Sequence, residues 1–535
     1  MVMFVDHIIL KRIYRKLFFK FSLVFFALIL LTPQIFNSKI SQITAVDPET
    51  VDYIFCNTNI ITIDDNYPLA EAIAIKNGFI IDVGDTEHII QNYRTELENN
   101  TMDLNGLAVM PGIIDGHTHL IRSELDEGFQ TLYGAQQIAL AFGYTTLIEK
   151  SFKDWNSEIQ PILDAEQNNE LLLRINIFPD FNLCYLDENN ESIVVELWYL
   201  DHDPILDNDR MLRVPGIKIF ADGAYGNRGI PAMSIPYTPE LLEIYESSSL
   251  YGDLYFEQYE LEDIVKTIHD RGFSCAFHAM GDRAIETVLN SIEFALDGAS
   301  NDNYRHQIEH NSFFRGDLIT KANTLRTLHS VRGYFPTYWQ DEDEGYYNST
   351  ILEWYANRYS LPSEGVHAFL ETDFAWYVYD DDDLSNSRNI KPFLHLWGLV
   401  TRKAIDENGI IHEPHPWIAE HEITVEQALK MMTLEGAYAV KQEDYCGSLE
   451  VGKFADLIVL TDDPLTIDKD DLKGIQVMLT MVGGEIKYMW HYNHFPGPYQ
   501  GTSTSQFGLN SMFILIISIL SLCSLLLMNK RSRII

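Results

Sequence analysis

VMPGIIDGHTHL, residues Val109 to Leu120, is an apolar run that closes on two histidines. Such a run reads as a strand buried on both faces, as in a parallel sheet. Side chains two apart on a strand share a face, so His117 and His119 point the same way and Thr118 points the other. Two neutral imidazoles converging at the end of a buried strand are what a divalent metal needs.

Working outward, the stretch from about Pro111 to Tyr445 alternates between strand-like and helix-like patterns. GIKIF (Gly216–Phe220) reads as a strand, LEDIVKTIHDRG (Leu261–Gly272) as a helix, FSCAFHAM as the next strand and DRAIETVLNSIEFAL as the next helix. This alternation predicts a parallel α/β architecture, and its length suits a (β/α)8 barrel. On either side lie β-rich pieces with tight turns at Asn77-Gly78 and Gly483-Gly484. These are expected to join as one small β-sandwich. The predicted division is 46–110 and 446–492 for the sandwich, 111–445 for the barrel and 493–510 for a linker.

A barrel gathers the C-terminal ends of its strands into one mouth. Four further residues end strand-like runs: Lys218, His278, His310 and Asp373. A buried lysine loses its charge readily, and the neutral amine can take up carbon dioxide to become an anionic carbamate ligand. Cys275 is expected to pack on the opposite side of its strand from His278. His306, sharing parity with His310, is read as filler inside the barrel. Asp222 and Arg228, in the loop after Lys218, are candidates for contacting substrate or holding that loop, and Trp339 and Tyr338 for lining the pocket.

At 535 residues with a formal net charge of −40, the chain repels phosphate backbones, which excludes nucleic acid as a partner. The acidic runs Asp341–Glu344 and Asp380–Asp383 read as solvated loops. Both ends depart from this acidic body. Residues 1–45 carry a basic segment and then FSLVFFALILL, the pattern of a signal peptide or signal anchor. Residues 511–529 read as a transmembrane helix, followed by a basic tail at 530–535. Positive flanks stay in the cytoplasm, which places the body on the extracellular or lumenal side. Sequons at Asn99, Asn190 and Asn348 fit a glycoprotein there. The five cysteines form no dense disulfide pattern.

PGIIDGHTH, GIKIFADGAYGNRG, FHAMGDRA, QIEH, Thr372-Asp373 and GSLEVGKFADLIVL (Gly447–Leu460) together resemble the amidohydrolase superfamily, over roughly residues 50 to 490. The branch most resembled is amidohydrolase family 3, which includes N-substituted formamide deformylases. The resemblance implies a metal-dependent (β/α)8 barrel with a small β-sandwich. It implies that His117, His119, His278 and His310 bind one or two ions, zinc being the expected metal, with Lys218 as a carboxylated bridging ligand and Asp373 as ligand and catalytic base. The expected chemistry is hydrolysis of a carbon–nitrogen, amide-like bond other than a peptide bond, by attack of metal-bound hydroxide. Asp373 would then return the proton to the leaving amine. Deamination, phosphoester hydrolysis and a non-catalytic, membrane-tethered binding role are the alternatives. Small amide-like molecules, the membrane and a second copy of the chain are the expected partners. In this sequence Thr372 stands where the family often has serine, and Ala375 where it often has proline.

Overall fold

The structure is a computed structural model. It describes residues 47–490 apart from 123–131, 187–191, 195–197, 225–228, 334, 375–387 and 407. Among the described residues, no helix is long and apolar enough to cross a membrane. The N-terminal leader, the C-terminal apolar stretch, the linker, Asn190, Arg228 and the run Asp380–Asp383 lie outside the described residues.

Eight strands form one nearly closed parallel ring. They are β1 (Ile113–Thr118), β2 (Tyr144–Asp154), β3 (Arg174–Leu186), β4 (Gly216–Phe220), β5 (Ser274–Ala279), β6 (Gln307–His310), β7 (Leu328–Val331) and β8 (His367–Leu370). Each pairs in parallel with the next, in chain order. Beyond β8 the ring is drawn shut by two backbone bonds, Asp373 N–H to His117 O (2.9 Å) and His119 N–H to Phe374 O (3.0 Å). Helices pack outside, among them Gln258–Asp270 and Asp282–Leu296, whose buried faces repeat with helical period.

Closure needs Gly116. A Cβ there would sit 2.1 Å from Phe369 Cδ2 and 2.7 Å from Leu370 O, both on β8. Gly116→Ala is therefore expected to destabilise the fold by about 1–3 kcal/mol, seen as an earlier midpoint in urea unfolding.

The deciding stretch, read as one strand, is two. The break falls at Gly112, where a side chain would collide with Thr145 on β2 at 2.1 Å. Upstream, Ala108–Pro111 belongs to a separate six-stranded sheet in the order 485–489, 477–482, 457–460, 108–111, 59–61, 69–70. Strands from both flanks of the barrel thus share one sheet. A four-stranded sheet (79–84, 72–76, 53–56, 101–103) faces it, with Phe55, Ile73, Val109, Leu457, Val459 and Leu479 in one core. Strand alternation does the rest. Val109, Leu457 and Val459 point into that core, while Ala108, Met110, Ile458 and Leu460 join the core of the barrel. The turns Asn77-Gly78 and Gly483-Gly484 join antiparallel neighbours, with Lys76 opposite Phe79 and Val482 opposite Glu485.

One buried ion pair ties the two units. Arg174 of β3 donates from Nε and Nη2 to the Asp456 carboxylate at 2.6 and 3.2 Å. Asp456 also accepts from Gly483 N–H at 2.6 Å.

Candidate metal centre

The C-terminal ends of the strands crowd polar side chains into one buried cluster. His117 at the end of β1 and His119 just beyond it approach through their Nε2 atoms, 3.2 Å apart. Asp373, beyond β8, brings Oδ1 to 3.3 Å from His117 Nε2 and 3.2 Å from His119 Nε2. His119 Nδ1 lies 3.0 Å from the Lys150 carbonyl, which can only accept. That bond fixes the proton on Nδ1 and leaves the Nε2 lone pair facing the cluster.

Backbone strain aims two of these groups. His310 closes β6 with φ +70° and Asp373 has φ +50°, both left-handed conformations that side chains of this size rarely adopt. The turn at His310 breaks strand parity, which corrects the reading of His306. His306 lies behind the sheet, 3.0 Å from His269 of the helix 258–270, and accepts from Cys275 N–H at 3.0 Å. His310 is turned inward instead, with its ring 4.9 Å from that of His117 and 4.7 Å from that of His278. Its Nδ1 sits 3.1 Å from Glu371 Oε1. Cys275 is buried among apolar neighbours.

Asp115 holds the two ligand-bearing ends together. It accepts from His117 N–H (3.3 Å), Thr372 N–H (3.1 Å) and the Thr372 hydroxyl (2.5 Å). Thr372 thus supplies a hydroxyl at the residue before Asp373.

Four charged residues of the cluster escaped the sequence reading. Glu309 accepts from Lys218 and lies 3.2 Å from Lys150 Nζ and 3.2 Å from His117 Nδ1. Lys150 Nζ also sits 3.4 Å above the Phe178 ring. Glu371 pairs with Arg332 at 3.1 Å, and Arg332 also pairs with Asp373. Each stands inside or beside an apolar run with its partner on another strand. The motifs QIEH and ETD held Glu309 and Glu371 in plain view, but nothing in the linear pattern marked them as inward-facing.

Burial sets the protonation of the cluster. It pushes His119 and His310 down to about 4, in each case against a neighbouring carboxylate, and His278 well below its ordinary value. The imidazoles are therefore neutral near pH 7, the form that binds metals. Burial also drives Lys150 and Lys218 well below the usual lysine range, Lys218 with help from the charge on Lys150. Burial works to raise Asp373, but Arg332 and the two imidazoles outweigh it and hold the carboxyl well below the carboxylate range.

The cluster fits a divalent cation. Two sets of donor atoms each lie within 4.8 Å of one another: His117, His119 and Asp373; and His117, Glu309 and His310. Among the described residues, three buried atoms around it make no hydrogen bond of good geometry, His117 Nδ1, His278 Nε2 and Glu309 Oε1, although the first and last face each other at 3.2 Å. Orphaned buried polar atoms cost about 1–3 kcal/mol each, which coordination would recover.

Of the two roles expected of Asp222, contacting substrate or holding its loop, its hydrogen bonds are those of a loop holder. It is fully buried and accepts from Ala232 (2.9 Å), Met280 (3.0 Å) and Gly281 (2.8 Å) N–H groups, with His278 Nε2 3.7 Å away. Burial pushes it up to about 7 against those three bonds. Trp339 does line the cavity above the cluster, a space of about 370 Å³ that also reaches His117, Lys218, His278, His310 and Asp373. The acidic run Asp341–Glu344, expected as a solvated loop, lies on a helix, Phe335–Tyr346, with Asp341, Glu342 and Glu344 exposed and Asp343 half-buried. Asn348 serves as the N-cap of the helix Ser349–Asn357, accepting from Thr350 and Ile351 N–H groups.

Known proteins share this architecture. A crystal structure of an uncharacterized metal-dependent hydrolase from Pyrococcus furiosus superposes with a TM-score of 0.59 at 17% identity, over 77% of this chain and all of that one. An N-substituted formamide deformylase of Arthrobacter pascens is 26% identical over 286 residues, 52% of this chain and 46% of the deformylase. The protein LONG AFTER FAR-RED 3 of Arabidopsis thaliana is 24% identical over 385 residues, 68% of this chain and 58% of that protein. The chain thus spans about half the length of the curated relatives it matches. The amidohydrolase family profile matches residues 132–488, most of the described barrel and the closing strands of the sandwich. With a ring of eight parallel strands, a histidine–carboxylate cluster at its mouth and two thirds of its length under that profile, the chain belongs to the amidohydrolase family, in its family 3 branch.

Proposed function

We propose that the protein is a metal-dependent hydrolase of carbon–nitrogen bonds in small amide-like molecules other than peptides. The observation that carries this reading is the convergence of His117 Nε2, His119 Nε2 and Asp373 Oδ1 within 3.3 Å of one another at the floor of an open cavity. His117, His119, His278, His310 and Asp373 are the proposed holders of one or two ions, with Lys218 as a carboxylated ligand. Imidazole and carboxylate donors of this kind suit zinc, as they also suit other first-row divalent metals. Such a cation, when bound, polarises a carbonyl and lowers the pKa of water from about 15.7 toward about 7.

The residues of the chain do the rest. Asp373 takes the proton from the attacking water. Arg332, paired with both Asp373 and Glu371, keeps Asp373 ionised and restrains its orientation. As the tetrahedral adduct collapses and the carbon–nitrogen bond breaks, Asp373 hands the proton to the amine nitrogen, which cannot leave as an anion. His119 is kept in one tautomer by the Lys150 carbonyl throughout. The Arthrobacter relative makes N-formyl amines a first substrate class to try. The terminal segments lead us to propose further that the acidic body is held outside the cytoplasm by a membrane anchor.

Elemental analysis of the purified chain, with hydrolysis assays over N-formyl amines, N-acyl amines and cyclic amides, tests the reading. Expected are stoichiometric zinc, turnover of at least one class, and loss of that turnover on chelation with recovery on adding zinc back. A folded, metal-free protein that turns over none of them after zinc loading would overturn it.

A further inference from the structure

The cavity above the cluster has walls that the hydrolytic chemistry does not use. Phe220, Tyr245, Phe313, Trp339, Tyr347 and Tyr355 present aromatic surface to it. Two carboxylates, Glu342 and Asp343, line the same space. They sit on the helix Phe335–Tyr346, whose acidic run divides by helical face. Asp341 and Glu344, three apart, both pair with His415, at 3.0 and 2.8 Å. Glu342 and Asp343 face the cavity instead. The Asp343 Oδ2 atom is buried with no hydrogen-bond partner among the described residues.

The lysine and arginine side chains of the cavity are committed elsewhere. Lys218 pairs with Glu309, and Arg332 with Glu371 and Asp373. Arg358 donates from Nη1 to His310 O (2.9 Å) and Ser312 Oγ (3.2 Å), and its guanidinium lies 4.7 Å from the Tyr355 ring centre. Burial accordingly pushes the Asp343 carboxyl up to about 7, Arg358 working against the rise and Glu342 adding to it. Aromatic faces with carboxylates beside them attract cations, because ring quadrupole and full charge pull in the same direction.

Resting on the hydrolase reading above, we propose that this part of the cavity selects substrates carrying a positive charge, an ammonium or guanidinium group seated between the aromatic walls and the carboxylates of Asp343 and Glu342. A substrate so held would present its amide carbonyl to the histidine cluster below. Its charge would supply the counter-ion that Asp343 lacks within the described residues.

The test uses three probes of one shape and different charge: choline, neutral 3,3-dimethylbutan-1-ol and anionic 3,3-dimethylbutanoate. Each is titrated by calorimetry into the zinc-loaded full chain. Choline is expected to bind about tenfold or more tighter than the neutral probe. Asp343→Asn and, separately, Glu342→Gln are expected to shrink that ratio several-fold, at an unchanged melting temperature. If Asp343→Asn lowers the melting temperature, the Glu342→Gln result decides. Equal binding of choline and the alcohol, tighter binding of the anion, or a ratio untouched by both substitutions would overturn the proposal. Because binding is read without turnover, failure of the hydrolase reading would show separately, as absent activity with the ratio intact.

Discussion

Asp373→Asn is expected to lower kcat by about 10²- to 10⁴-fold, the range typical of losing a positioned acid–base group. Asparagine keeps the shape of the side chain and can still offer an oxygen to a cation, but it cannot accept and return a proton. The backbone bond from residue 373 N–H to His117 O at 2.9 Å does not involve the side chain, so the ring remains closed. Arg332 loses one partner but keeps Glu371 at 3.1 Å, which limits the cost of leaving a buried guanidinium short of charge. The variant should therefore fold, and elemental analysis beside the kinetics separates lost proton transfer from lost metal. Zinc retained with kcat reduced assigns the proton to Asp373. Activity within a few-fold of the parent would remove Asp373 from the chemistry altogether.

The second large effect concerns stability. Arg174 and Asp456 are both almost fully buried where the barrel meets the six-stranded sheet, and they pair through two hydrogen bonds. Asp456→Ala leaves a guanidinium stranded in that interface, facing the Phe454 ring 3.9 Å away and the Met211 sulfur. It also orphans Gly483 N–H. Breaking a buried pair from one side costs about 3–5 kcal/mol, a large share of the stability of most domains. Urea unfolding should show the loss directly. The double variant Arg174→Met/Asp456→Leu should recover much of it, since apolar replacements of similar volume remove the stranded charge. If the single variant loses less than about 1 kcal/mol, the pair does not hold the two units together.

The sequence made the barrel legible because its strands are apolar runs and its helices carry a helical period. Gly216–Phe220 and Asp282–Leu296 fall where those patterns place them. His117, His119, His278, His310 and Asp373 could be listed because each ends such a run, and strand ends meet at one mouth. What stayed hidden depends on the third dimension. Lys150, Glu309, Glu371 and Arg332 draw their meaning from partners on neighbouring strands, which no local pattern encodes. His310 faces inward through a left-handed turn, so parity alone assigned His306 to the wrong side. The run Asp341–Glu344 carries the composition of a solvated loop, yet a helix parts it into two carboxylates paired with His415 and two that line the cavity. One apolar run is split between two sheets at Gly112, a position with no room for a side chain beside Thr145.

The shared sheet has a cost during synthesis. Ala108–Pro111 can complete its hydrogen bonding only with Leu457–Leu460, and the Thr480 hydroxyl reaches back 340 residues to Leu140 O. The emerging polypeptide must therefore carry an unsatisfied strand edge until the whole barrel has left the ribosome. Contacts so distant along the chain slow folding and expose sticky edges to neighbouring chains. A ribosome stalled before residue 457 would hold a product open to proteases and dependent on chaperones, whatever the state of its histidines.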